Sequence, residues 1–156
     1  VQTCALPISI LDAPTGQVVA DAKGHTVYMY NCNDDALDQF TCDHPDTPQA
    51  YRFAVCGAGN PGKCMETFPY VMAPKSAKSG SQIWSAIDLD PKTGHKAQPG
   101  QADAVHVWAY RDRPVFTFIG DKDPGDIYGD SWGEFQGARN GFKAFTVRDD
   151  YFQNAD

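Results

Sequence analysis

Pro114-Val115-Phe116-Thr117-Phe118-Ile119-Gly120-Asp121-Lys122-Asp123-Pro124-Gly125-Asp126-Ile127-Tyr128-Gly129-Asp130 runs from an apolar segment straight into a loop with four aspartates in ten residues. Proline is tolerated at the first position of a strand, and β-branched and aromatic residues favour the pleated backbone that follows. A strand over 115–119 is therefore predicted, closed by Asp, Pro and Gly in turn chemistry. An earlier stretch, Thr26-Val27-Tyr28-Met29-Tyr30-Asn31-Cys32-Asn33-Asp34-Asp35, has the same build. Tyr28-x-Tyr30-x-x-Asn33-Asp34 parallels Phe116-x-Phe118-x-x-Asp121. The chain thus reads as two related halves, about 16–75 and 100–150, each a strand that empties into an acidic loop.

Around these stretches the pattern stays short-ranged. Residues 17–20 and 26–30 read as a β-hairpin about the turn 21–24. Weak alternation over 51–55 predicts a short strand, and 65–72 a helical turn before Pro74. Strands are predicted over 82–87, 105–110 and 142–147, with turns at 90–94 and 111–114. With 14 Gly and 11 Pro in 156 residues, short strands and turns win over long helices. The expected class is mostly β: a single compact domain, 1–156, of antiparallel hairpins, disulfide-stapled, with little helix. The length suffices for one real core and is short for two.

The net charge of −7 argues against nucleic acid and anionic membrane surfaces as partners. No stretch approaches the ~18–20 apolar residues of a membrane span. Five cysteines occur, Cys4, Cys32, Cys42, Cys56 and Cys64, with no C-x-x-C pair to suggest a zinc ribbon or a haem attachment. Disulfides in an oxidising, extracytoplasmic compartment are the economical reading. Cys32–Cys42 and Cys56–Cys64 would each close a short loop, although four cysteines allow three connectivities. Residues 1–8 read as translated adapter and not native chain, which would set Cys4 aside and leave an even four.

The acidic loop admits two readings. Asp121, Asp123, Asp126, Asp130 and Glu134 could supply oxygen ligands to a divalent cation such as calcium. The spacing is not that of an EF-hand: positions six and twelve, counted from Asp121, hold Asp126 and Trp132 in place of Gly and Glu. The other reading is that these carboxylates brace turns. The histidines His25, His44, His95 and His106 form no local ligand pair, but His44 could join distant segments, with Met29, Met65 or Met72, in a copper or zinc site. No nucleophile elbow, zincin motif, Walker loop or dinucleotide fingerprint is present, so no catalytic residue is assigned. Same-face aromatics (Tyr28 with Tyr30, Phe116 with Phe118, Trp108 with Tyr110) read as core, or as a binding platform if exposed.

Gly24-His25-Thr26-Val27-Tyr28, the Cys56…Cys64…Phe68-Pro69-Tyr70 segment and the stretch from Tyr110 to Asp126 together resemble a family of secreted-repeat lipoproteins. That family is marked by a Tyr-x-(Phe/Trp/Tyr)-x-x-Asp motif. The resemblance covers roughly 16–147 and falls on Tyr28, Tyr30, Asn33, Asp34, Phe116, Phe118 and Asp121. Asn33 stands where the motif has Asp, Phe116 where it has Tyr, and 31–55 reads as an insertion. The resemblance implies a bacterial periplasmic, secreted or outer-membrane-associated protein, with a lipid anchor if a leader precedes this sequence. It carries no activity with it. The expected function is a non-catalytic binding or structural component of the cell envelope, whose partner is an unknown protein or envelope constituent. A metal- or redox-associated periplasmic accessory protein is the first alternative, and an enzyme the second.

Overall fold

A computed structural model describes residues 8–14, 16–31, 50–77, 84–132 and 141–146. Among the described residues the architecture is mostly antiparallel β, with 37% strand against 13% helix in one compact domain. Strands β1 (Ile8–Ala13) and β2 (Gly16–Asp21) pair in register from Ile8↔Asp21 to Ala13↔Gly16. Strand β3 (Tyr28–Asn31) then leaves that sheet. Two short helices follow, α1 (Ala50–Gly57) and α2 (Pro61–Thr67), and then β4 (Trp84–Leu89), β5 (Val105–Tyr110), β6 (Arg113–Pro114) and β7 (Gly141–Ala144). β4, β5 and β6 form an antiparallel meander, while β3 takes β7 from the far end of the chain as its partner.

Single bridges knit the three small sheets together. Tyr28 and Phe116 exchange both backbone hydrogen bonds, at 2.7 and 2.9 Å, so the strands of the two acidic stretches lie side by side. Phe116 also bridges Tyr70, and Met72 bridges Val107. Two packed clusters result. One gathers Tyr28, Tyr30, Phe68, Phe116 and Phe142 against the two helices. The other gathers Val19, Trp84, Trp108, Tyr110 and Phe145. Phe68 stacks on Phe142 at 3.7 Å between centroids, and Tyr110 meets Phe145 edge-on at 4.8 Å.

Four expectations change. Residues 51–55 are helical, because the buried positions are Arg52, Phe53, Cys56 and Gly57, a spacing that fits a helix face and not a strand. The turn expected at 65–72 sits earlier, as α2. Asn60 caps it, its Oδ1 accepting from the N–H groups of Gly62 and Lys63, and Pro61 opens it. Residues 17–20 and 26–30 meet only through Ala20↔Thr26 and the bond from Val27 N to Val19 O, because each segment has a better partner in β1 or β7. The strand expected at 115–119 is extended backbone shared between Tyr28 on one side and 67–71 on the other. The strand at 105–110 forms as expected, the one expected at 82–87 is seen as Trp84–Leu89, with 82 and 83 outside the described residues, and Arg111 and Asp112 turn the chain with φ of 49° and 66°.

The Cys56–Cys64 disulfide joins the two helices at a Cα separation of 4.7 Å. Cys32, Cys42 and the bridge expected between them lie outside the described residues. No helix among the described residues is long and apolar enough to cross a membrane.

The acidic loop docks on β1 through Gly125, whose φ is +90° and where an added Cβ would stand 2.5 Å from the Asp12 carbonyl oxygen. Gly125→Ala therefore combines a left-handed backbone cost of about 1–2 kcal/mol with overpacking. Urea unfolding should show a loss of roughly 2 kcal/mol or more; a loss under about 0.5 kcal/mol, the level of an ordinary surface substitution, would contradict this docking.

Candidate functional site

Tyr28 is wholly buried, and the bridge to Phe116 brings its phenol beneath the acidic loop. Its hydroxyl donates to Asp121 Oδ2 at 2.6 Å and accepts from the Gly129 N–H at 3.1 Å. Asp121, only 4% exposed, takes the Tyr128 N–H on its other oxygen at 2.8 Å. Both ends of the loop thereby close on one phenol. Burial pushes the Asp121 carboxyl above its ordinary value, helped by the nearby Asp126 charge; the Tyr28 and Tyr128 hydrogen bonds and His25 pull the other way. Burial, then the bond to Asp121, pushes the Tyr28 hydroxyl well above the usual phenol range. Tyr28 is a neutral donor throughout the physiological range.

The other aspartates turn to backbone. Asp126 Oδ2 accepts from the N–H groups of Lys122 and Asp123 at 3.0 and 2.9 Å, and its carbonyl accepts from Thr26 Oγ1 at 2.6 Å. Asp130 Oδ1 takes the Ala144 N–H at 2.8 Å, which ties the loop to β7. The Asp123 side chain is exposed, and its carbonyl accepts from Asp126 N. Among the described residues no three His, Cys, Asp or Glu side chains gather to hold a metal ion. Glu134, Asn33, Asp34 and His44 lie outside the described residues. Of the motif aromatics, Tyr28, Tyr30 and Phe116 are core, while Phe118 is half-buried against Phe68 and Trp132. The loop also presents large apolar groups outward: Ile119, Trp132 and above all Tyr128, 71% exposed.

Two further constellations were not anticipated. Arg52, 1% exposed, is enclosed by aromatic rings, with its guanidinium carbon 4.7 Å from the Phe53 ring centre and 4.9 Å from that of Phe116. It donates to Tyr70 Oη at 2.9 Å and points Nη1 at Cys64 Sγ, 3.8 Å away. The signal available was its spacing, four residues before Cys56 on one helix face. His106 on β5 holds Asp88 Oδ1 at 2.7 Å and the Ala77 carbonyl at 3.0 Å. Burial works against its imidazolium, but these two acceptors outweigh it and raise its pKa. His106 and Asp88 border an open cleft of about 590 Å³ with Lys75, Gln98 and Gln101.

Comparison with family models, with curated proteins and with solved structures finds no match to this chain.

Tyr28→Phe leaves Asp121 Oδ2 and the Gly129 N–H without their shared partner. A loss of roughly 1–3 kcal/mol is expected from urea unfolding. The Asp121 titration has its own signature. Its folded pKa lies above the unfolded value, so its contribution is complete below the ordinary carboxylate range and is lost as pH rises through the folded value. The stability difference, wild type minus Asp121→Asn, should therefore fall as pH increases from about 4. A difference that grows over that interval would show that the carboxylate is stabilised as an anion instead.

Proposed function

We propose that this chain is an extracytoplasmic, non-catalytic binding or structural component of the bacterial cell envelope, akin to the secreted-repeat lipoproteins it resembles. The observation that carries this reading is the use made of the aspartates. Asp121, Asp126 and Asp130 each hold backbone N–H groups or the buried phenol, which makes the loop a braced platform. Tyr128, Ile119 and Trp132 project from it, and aromatic groups on a rigid support contribute contact area with little ordering cost. The Cys56–Cys64 bridge supports an oxidising compartment. Within this reading the two acidic stretches are halves of a duplication, brought together at Tyr28 and Phe116.

The direct test is co-sedimentation of the exported protein with isolated bacterial envelope fragments. Wild type should pellet with them, and Tyr128→Ala should weaken recovery at least fivefold without lowering the melting temperature. Full recovery in the supernatant at every fragment concentration would overturn the binding role. The bracing role is tested separately by melting curves of Asp121→Asn and Asp126→Asn in calcium and in chelator. Equal losses in both are expected; losses confined to calcium would transfer the loop to a cation.

A further inference from the structure

The helix pair contains a second piece of chemistry. Arg52 and Cys56 are one turn apart on α1, and Cys64 lies on α2. Gly57 lets the helices approach closely: a Cβ there would stand 2.7 Å from the Cys64 backbone nitrogen. The two sulfurs are not equivalent. Both residues belong to the buried core, but Cys64 is 0% exposed and its Sγ faces the Arg52 guanidinium, whereas Cys56 keeps 7% exposure as a residue and has its Sγ 3.1 Å from the Arg52 carbonyl oxygen. Exchange is fastest when the attacked sulfur is reachable and the departing sulfur is stabilised as a thiolate. A permanent cation held in a poorly solvated site stabilises such a thiolate more strongly than it would in water. The Tyr70 hydroxyl and the rings of Phe53 and Phe116 already fix that cation in place, so no reorganisation is needed as charge develops.

The geometry points to an exchange-competent Cys56–Cys64 disulfide, with Cys56 the sulfur that a low-molecular-weight thiol attacks and Cys64 the leaving thiolate received by Arg52. In the first step the external thiolate forms a bond to Cys56 Sγ. The Cys56–Cys64 bond breaks, and its electron pair leaves on Cys64. A second thiolate then attacks the external sulfur of the mixed disulfide, forming the dimeric small-molecule disulfide and releasing Cys56 as a thiolate. That thiolate takes a proton from water and can donate it to the Arg52 carbonyl. The two-electron reduction of the protein is balanced by oxidation of two thiols. This inference does not depend on the envelope role; it requires only that the bridge has formed.

The test uses oxidised wild-type protein in native buffer with glutathione, quenched by iodoacetamide and mapped by mass spectrometry. Glutathione on Cys56 and carbamidomethyl on Cys64 are expected. Glutathione on Cys64, or no modification of either residue until urea unfolds the chain, would overturn the proposal. Arg52→Met, which keeps a long side chain over the bond but removes the charge, is checked for folding by circular dichroism and separates leaving-group stabilisation from simple shielding. Exchange at least tenfold slower, with Cys56 still the site of attack, is expected. An unchanged or faster rate would show that Arg52 only covers the bond. The wild-type map decides the site of attack by itself if the variant does not fold.

Discussion

The hydrogen bond from the Tyr28 phenol to the Asp121 carboxyl, between residues 93 apart in sequence, is the contact on which the rest of the loop depends. The segment from Ile119 to Trp132 has no regular ladder to satisfy its backbone, and buried N–H groups without partners are costly. Asp121 answers Tyr128, Asp126 answers Lys122 and Asp123, and Asp130 answers Ala144. Only the first of these carboxylates is deeply buried, and burial of a charge needs strong donors around it. Tyr28 supplies one such donor and is itself held by the backbone bonds to Phe116. The loop's order therefore follows from the β3 bridge rather than from the loop alone.

The same bridge places Phe116 where two structural demands meet. Its backbone joins the acidic loop to β3, and its ring forms one wall around Arg52. A buried guanidinium is tolerated when its donors are engaged and its faces are covered by aromatic rings. Arg52 meets both conditions at Tyr70, Phe53 and Phe116. The helix pair and the loop thus meet at one residue, the loop at its backbone and the helix pair at its ring. A change in the packing of Phe116 would reach both.

How much of this was legible follows from which interactions are local. β5 was readable because alternation over 105–110 is a two-residue period, and the Cys56–Cys64 bridge because its loop is short and rich in Gly and Pro. The helix at 50–57 was not, because eight residues hold barely two turns of periodicity and its buried face includes an arginine. The N-cap at Asn60 with Pro61 was a local signal that should have placed α2. The aspartates were found as a group, but their acceptor duties depend on Tyr28, Thr26 and Ala144, all distant in sequence. Pairings such as β3 with β7 are set by core packing, to which no local pattern points.

The bridge between Tyr28 and Phe116 sets two aromatic residues side by side with different duties. Tyr28 carries a hydroxyl, and that hydroxyl has its partners in Asp121 and the Gly129 N–H. Phe116 carries none, and its ring packs edge-on to Phe142 and over Arg52. A hydroxyl buried at that second place would need a partner of its own, because a buried polar group without one is costly. An apolar ring makes no such demand and leaves its face to the guanidinium.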